Sequence, residues 1–370
     1  MVPSTTNGIG PTFVERFIAF FHLPHILGSL ILALVLGPPG ALLLSYVNTN
    51  NLDTALAITT TLFFGSPLSL GQNLIGLSIL FAFFVYVLYM IRYMRSILMN
   101  TKPHIMSLLP KGEAIYDTIF NHVTRSKLPI VLGSLFMGVF ALQIAPRMPP
   151  NFEVFSIHPA NIVFLCLSYP FWFIIFTTFV WVYLGSIRGL HTLGQKPLML
   201  KPFDKDKMLG VKPIGSLSLS LAFTYFGAVS ILALLPIILS PDIPSLSYVV
   251  VLTTLILVGI LFFFLPLHTI HKKMLEVKEG EQKLLHSELS KVIQSTSDAN
   301  KENVGSTVDI KESLNRLISV LKVEVTKDEV KAIPTWPIDM QILNRLLAMA
   351  LSIIGIILAN FIMKVVLHFP

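Results

Sequence analysis

The chain has 370 residues, of which 54% are hydrophobic and only 13% are charged. This balance excludes an ordinary water-soluble globular fold and is typical of a protein that crosses the bilayer several times. The formal net charge of +7 is explained by basic loops on one side of a membrane, so we predict no nucleic-acid partner. We therefore predict an all-α polytopic protein, integral to the cell membrane, whose first partner is the lipid bilayer.

Seven apolar stretches are long enough to cross a hydrocarbon core, which needs about 20 helical residues. They lie near residues 23–46, 69–91, 128–146, 160–186, 214–240, 246–267 and 346–369. A further uncharged run, Thr54 to Phe64, is too short for a crossing and predicts an interfacial or partly inserted helix. The predicted organisation is a six-span bundle over residues 1–270, a cytoplasmic helical anchor over 271–338 and a seventh span over 339–370.

The distribution of basic residues predicts the orientation. If the N-terminus is cytoplasmic, 25 of the 27 Lys and Arg residues fall on the cytoplasmic side, and only Arg147 and Lys364 fall outside. Basic residues of short loops are retained in the cytoplasm. We therefore predict a cytoplasmic N-terminus, an extracellular C-terminus and an odd number of spans.

A short motif recurs at the start of three odd-numbered spans: LPHILGSL from Leu23, LPIVLGSL from Leu128 and KPIGSLSL from Lys212. One interpretation is three parallel two-span hairpins followed by one unpaired span, an arrangement that transporters and channels use. The other is a chance similarity between Leu-rich helices whose small residues serve close packing.

The sixth span is predicted to continue as a helix into the cytoplasm as far as a polar linker at residues 295–305. A second amphipathic helix then follows, with one apolar stripe formed by Ile310, Leu314, Leu317, Ile318 and Leu321. This stripe needs a partner, because an apolar face left in water is unfavourable. The partner is either a neighbouring helix of the same subunit or the same helix in another subunit.

No sequence motif indicates enzymatic chemistry, a metal site or a cofactor. The cores of the spans contain no Asp, Glu, Lys or Arg before Lys364, which argues against a proton-coupled pump. Two histidine pairs, His22 with His25 and His268 with His271, lack the third and fourth ligands that zinc requires. They are predicted to be interface residues with a solvated tip.

The seventh span has two distinctive faces. Helical spacing predicts a helix-packing strip of small residues formed by Ala348, Ser352, Gly355 and Ala359. On the opposite face, Ile353, Ile357, Asn360 and Lys364 are predicted to line a pore. The two isoleucines would form a hydrophobic constriction, and Asn360 and Lys364 would form the polar outer end. In the alternative interpretation, Asn360 bonds inside the bundle and Lys364 reaches the lipid headgroups.

The predicted topology resembles that of the insect odorant and gustatory receptor type of seven-transmembrane ion channel. The shared features are a cytoplasmic N-terminus, a sixth span that runs on into a cytoplasmic helix, and a chain that ends directly after the seventh span. The resemblance concerns topology and carries over no residue role. It implies a tetramer joined through the cytoplasmic helices, a central pore lined by the seventh span and a ligand pocket in the outer half of the other spans.

Three functional hypotheses follow. The first is a homo-oligomeric channel or ligand-gated channel-like receptor, a tetramer with the seventh span near a central pore that conducts an ion or responds to a small molecule. The second is a small-solute transporter built from two-span repeats, which a pocket between hairpins near the bilayer midplane would favour. The third is a non-conducting sensor or scaffold whose output is the cytoplasmic helix.

Overall fold

The computed structural model describes residues 10–64, 70–110, 112–125, 127–144, 159–200, 206, 208–239, 246–302, 318, 321–322, 324–328, 330–332 and 334–362. The regular secondary structure in these ranges is helical, as predicted. Eleven helices are described: α1 Phe13–Phe20, α2 His25–Leu36, α3 Pro38–Thr49, α4 Leu52–Phe64, α5 Leu70–Met106, α6 Gly112–Arg125, α7 Leu128–Ile144, α8 Pro159–Gln195, α9 Lys212–Leu239, α10 Leu246–Glu302 and α11 Met340–Phe361.

Five helical segments in the described ranges are long and apolar enough to cross a membrane. They are His25–Thr49, Gly71–Met106, Val163–Gln195, Lys212–Leu234 and Tyr248–Lys291. The predicted third and seventh spans also form helices, α7 and α11, but their described apolar parts are shorter than a crossing. The multispan architecture is thus present, while the count of seven and the orientation remain predictions.

Helix α1 is a short amphipathic helix before the first span. A capping box closes its start, in which the Thr12 hydroxyl accepts from the Glu15 N–H and the Glu15 carboxylate accepts from the Thr12 N–H. The Arg95 Nε of α5 donates to the same carboxylate at 2.8 Å, and Glu15 is only 5% exposed. This buried ion pair fixes α1 against α5.

The return helices of the three predicted hairpins, α5, α8 and α10, are much longer than a bilayer crossing. Helix α5 and helix α8 each have 37 residues, and α10 has 57. Helix α10 reaches Glu302 and so covers most of the segment predicted as a linker at 295–305. Once a helix exists, each added residue gains a hydrogen bond at little entropic cost, which lets poor helix formers such as Ser and Asn extend it.

Helix α9 lies in the main core cluster, where it contacts α5, α10 and α11. The three motif glycines all lie at close approaches. A Cβ on Gly28 would overlap Ile18, one on Gly133 would lie 2.9 Å from the Ile174 backbone, and one on Gly215 would overlap the Pro337 carbonyl. The recurring motif therefore coincides with helix packing.

Helix α11 is fixed at its start by Asp339. The Asp339 carboxylate accepts from the Ile342 N–H at 2.8 Å and pairs with Lys212 of α9 at 3.3 Å. The hydrogen bond from Ile342, followed by the pairing with Lys212, lowers the pKa of Asp339 below its ordinary value of 3.8. Asp339 is therefore the N-cap of α11.

Candidate functional site

The first span is interrupted halfway along its length. Helix α2 ends at Leu36, Gly37 is extended, and α3 starts at Pro38. Because Pro38 and Pro39 have no N–H, two carbonyls in the last turn of α2 lose their helical donors. A Cβ on Gly37 would overlap the carbonyl oxygen of Ala33, so only glycine fits at the interruption.

Two side chains of α8 bind the carbonyl that ends α2. The Ser168 hydroxyl donates to the Leu36 carbonyl oxygen, and the Trp172 Nε1 donates to the same oxygen at 2.7 Å. Both donors are buried, with exposed fractions of 3% and 5%. Backbone groups inside a bilayer must be satisfied by the protein itself, so these two bonds stabilise the interrupted conformation.

A cavity of about 280 Å³ lies beside this interruption, between α4, α5 and α8. The ring of Trp172 stacks on that of Phe84 with centroids 3.8 Å apart, and Phe84 also lies against Gly37. Of the described lining residues, Ser168 is polar and the others are aromatic: Phe63, Phe84, Tyr169, Trp172, Phe173 and Phe176. None of these described residues is charged. We call this space the aromatic cavity.

The aromatic cavity lies near the middle of the membrane-crossing segments. Leu36 is halfway along the candidate span His25–Thr49, and Trp172 is near the middle of the uncharged stretch 160–187 of α8. Phe63, at the end of α4, lines the same cavity. Helix α4 therefore reaches the depth of the interruption, which favours the partly inserted alternative for the run Thr54 to Phe64.

The threonine hydroxyls of α4 form hydrogen bonds with the backbone of the same helix at this depth. The hydroxyls of Thr59, Thr60 and Thr61 donate to carbonyls of the preceding turn at 2.7–2.8 Å. Thr59 also donates to the Ser45 hydroxyl of α3 at 3.3 Å. These bonds allow a threonine-rich helix to lie between α3 and α5 without unpaired hydroxyl groups at those positions.

The chemistry of the aromatic cavity favours a small cation whose charge is spread over apolar groups. Aromatic faces carry negative potential and attract such cations, most strongly when the site is desolvated. The C-terminal end of α2, with its freed carbonyls, adds negative potential beside the rings. No described lining residue has a basic group that would repel a cation.

The predicted pore-lining residues of the seventh span are only partly described. Ile353 is completely buried in the main core cluster. The side chains of Ile357 and Asn360 and the whole of Lys364 lie outside the described residues. The pore-lining assignment stays a prediction. The burial of Ile353 within one chain argues against a position of this side chain on a pore surface.

The predicted helix-packing strip of α11 is exposed in the single chain. Ala348, Ser352, Gly355 and Ala359 are all accessible, and a Cβ on Gly355 would meet nothing within 4 Å. Within one chain the strip therefore does not contact another described helix closely. Its packing role stays a prediction that would require a second copy or a different partner.

The predicted oligomerisation stripe lies mainly outside the described residues, which include none of Ile310, Leu314 and Leu317. Ile318 and Leu321 are 53% and 52% exposed. The exposure of these two residues does not distinguish packing within one subunit from packing between subunits.

The histidine pairs form local contacts. The His25 Nδ1 lies 3.3 Å from the Ser29 hydroxyl, and His25 is buried, not solvated. His271 stacks on Trp336 with ring centroids 4.2 Å apart, and its Nδ1 lies 2.7 Å from the Thr335 carbonyl oxygen. His271 therefore joins α10 to the segment before α11, which sequence spacing did not indicate.

The aromatic cavity was not among the sequence-predicted sites, although one signal for it was present. The run Gly37-Pro38-Pro39-Gly40 lies in the middle of the first predicted span, where consecutive prolines must break the helical hydrogen bonds. The partners Ser168 and Trp172 lie more than 130 residues away along the chain. No local pattern connects them to the interruption.

Comparison with known proteins adds no family. No protein-family model matches the chain, and no curated protein or solved structure matches it significantly.

Proposed function

We propose that this chain is a membrane carrier for small organic cations, which bind in the aromatic cavity beside the interrupted first span. The observation that carries the proposal is the interruption at Gly37, held open by Ser168 and Trp172 next to a ring-lined cavity at mid-depth. Transporters commonly place their substrate sites at discontinuous helices near the bilayer midplane. The cavity also lies between the first and second predicted hairpins, which is where the repeat-based transporter hypothesis places a pocket.

The substrate class follows from the cavity lining. A quaternary ammonium ion does not cross a bilayer unaided, so it needs a carrier, and aromatic rings bind it without a carboxylate. The volume of about 280 Å³ suits a small ion with short substituents.

Uptake of tetramethylammonium by proteoliposomes tests this proposal. The wild-type chain should take up the labelled ion faster than empty vesicles do. Phe84→Leu, which removes one cavity ring, should reduce uptake by about thirtyfold, because a desolvated cation–π contact contributes about 2 kcal/mol. Phe81→Leu is the matched control, since Phe81 lies on the same helix and lines a different groove, with Ile26 and Tyr86.

Two results would contradict the carrier. The first is wild-type uptake equal to that of empty vesicles. The second is an equal loss of uptake in the Phe84→Leu and Phe81→Leu variants, which would mean that the rings act only through packing.

The homo-oligomeric channel, with its resemblance to the insect receptor type, is the second candidate. The observation in its favour is the exposed strip on α11, where small residues leave room for another helix. A tetramer mass in nanodiscs for the wild type and a smaller mass for Gly355→Leu would support it. A monomer that still carries out uptake would leave the carrier as the better account.

A further inference from the structure

An open apolar groove, separate from the aromatic cavity, lies on the surface of the bundle between α2, α5 and α9. It has a volume of about 460 Å³ and shares no described lining residue with the aromatic cavity. None of its described lining residues is charged. The residues that form its walls include Ile26 and Leu30 of α2, Ala82, Val85 and Tyr89 of α5, and Ile231 of α9. We call it the α2–α5 groove.

Helix α5 sets the depth of the α2–α5 groove in the membrane. Arg92 is the first charged residue after the uncharged stretch 70–91, so it marks the level of the lipid headgroups. Tyr89 lies one turn closer to the membrane centre, at the depth where tyrosine is enriched. Ala82 lies about 15 Å from Arg92 along the same helix, at acyl-chain depth.

The other two helices agree with this order. Ile26 lies about 15 Å along the first span from Leu36, which is at mid-depth, so the α2 wall is at the headgroup end of the groove. The Tyr86 hydroxyl of α5 donates to the Thr224 carbonyl of α9 at 2.9 Å. Ile231 lies two turns beyond Thr224, so the α9 wall is at the deep end.

The headgroup end of the groove is positively charged. Arg92 is exposed and lies two turns after Val85, on the same face of α5. The next arginine of α5, Arg95, pairs with Glu15, whereas the described residues provide no ion pair for Arg92. Tyr89 is 40% exposed and places a hydroxyl group at the same end. A guanidinium and a phenol are both donors that a phosphate accepts from.

We infer that the α2–α5 groove binds one anionic phospholipid, in the leaflet that is cytoplasmic in the predicted orientation. One acyl chain packs on Ala82, Val85 and Ile231. The phosphate pairs with Arg92 and accepts from the Tyr89 hydroxyl. A free phosphate would leave the apolar walls uncovered, and a sterol would leave Arg92 without a counter-ion, so the two features together fit a phospholipid.

Native mass spectrometry of the full chain in detergent tests this inference, because it counts bound lipids. The probes are phosphatidylglycerol and phosphatidylcholine with identical acyl chains. The first phosphatidylglycerol should bind with a Kd about fivefold lower than that of phosphatidylcholine, since the anionic headgroup adds an attraction to Arg92. Equal Kd values for the two lipids would overturn the inference.

Charge variants separate a built site from general attraction to a basic surface. Arg92→Gln should raise the Kd of phosphatidylglycerol about fivefold, and Arg92→Lys should restore most of the loss. Arg188→Gln is the matched control, because Arg188 is the exposed first charged residue after the uncharged stretch 160–187 of α8 and lies outside the groove. Equal effects of Arg92→Gln and Arg188→Gln would overturn the site.

A steric variant tests the apolar part of the groove. Ala82→Phe fills the groove at an exposed position without changing charge, and it should also weaken binding of the first phosphatidylglycerol. Leu261→Phe enlarges a side chain of α10 that is 56% exposed and lies outside the groove, and it should leave binding unchanged. Equal binding by the two variants would overturn the acyl-chain contact.

Competition distinguishes the phospholipid from other occupants. Neither millimolar inorganic phosphate nor cholesterol should displace the first phosphatidylglycerol from the wild type. Displacement by phosphate would assign the groove to a soluble anion, and displacement by cholesterol would assign it to a sterol. Either result would overturn the phospholipid.

Discussion

The Leu36 carbonyl is the residue-level feature on which the aromatic cavity depends. A backbone oxygen at the centre of a bilayer has no water to bond with, and here it accepts from Ser168 and Trp172. These bonds tie the end of α2 to α8. They also orient the Trp172 ring that stacks on Phe84.

Trp172→Phe should therefore destabilise the protein although it keeps an aromatic ring. We expect a loss of about 1 kcal/mol in the free energy of unfolding, the usual contribution of one hydrogen bond within a membrane bundle. Thermal unfolding in detergent measures it. Trp181→Phe is the control, since the buried indole N–H of Trp181 has no described protein partner to lose. Equal midpoints for the two variants would show that the Leu36 bond contributes nothing.

The first span was predicted as one unbroken helix, although the sequence carries a signal for the interruption; it carries none for the groups that stabilise it. The two prolines remove hydrogen-bond donors wherever they occur, so a kink near Gly37 is readable from local chemistry. Ser168 and Trp172 have no such local signature, because a serine and a tryptophan in an apolar helix are compatible with many environments. The N-cap at Asp339 was predictable because capping is a local interaction.

Among the elements, the contact of α7 with α8 depends on a motif glycine. Gly133 lies so close to the Ile174 backbone that a Cβ would be 2.9 Å from its Cα, and a backbone cannot rotate away as a side chain can. Gly138, one and a half turns along the same helix, has nothing within 4 Å of the corresponding position.

Gly133→Ala and Gly138→Ala should consequently have opposite effects. Gly133→Ala should separate α7 from α8 and lower the unfolding free energy by about 1–3 kcal/mol, as overpacking does. Gly138→Ala should raise it by up to about 1 kcal/mol, because alanine favours a helix over glycine. Thermal midpoints of both variants provide the measurement. Destabilisation of both alike would mean that the close approach at Gly133 is not the cause.

The length of each apolar stretch was enough to predict a helix there. In lipid, the N–H and C=O groups of a chain must hydrogen-bond with each other, and a helix achieves this within one segment. The boundaries were less predictable. The first span became two helices, and α10 extended to Glu302 through residues with low helix propensity. The first difference arises because Ser168 and Trp172 of α8 stabilise the interrupted end of α2. The second arises because an existing helix extends at little entropic cost.

For the whole molecule, the orientation stays a prediction. It is based on the distribution of Lys and Arg and not on any contact between helices. The pairing of non-sequential helices, such as α9 with α5, had no counterpart in the sequence, because apolar surfaces are interchangeable at the level of composition.

The single cysteine makes the orientation measurable. In a Cys166→Ser background, Asp53→Cys should react with a membrane-impermeant maleimide applied to intact cells. Ser287→Cys, an exposed position of α10, should react only after permeabilisation. Labelling of both positions from the same side would contradict the predicted orientation.

Because α10 is long, a small tilt of this helix within the bundle displaces its cytoplasmic end by a large distance. From Gly259, which packs on Tyr225, to Glu302 the helix is about 65 Å long and contains Pro266. A tilt of about 10° around that contact would sweep its far end through about 11 Å. A tilt of α10 within the membrane would therefore displace any cytoplasmic partner that is bound at the far end of the helix.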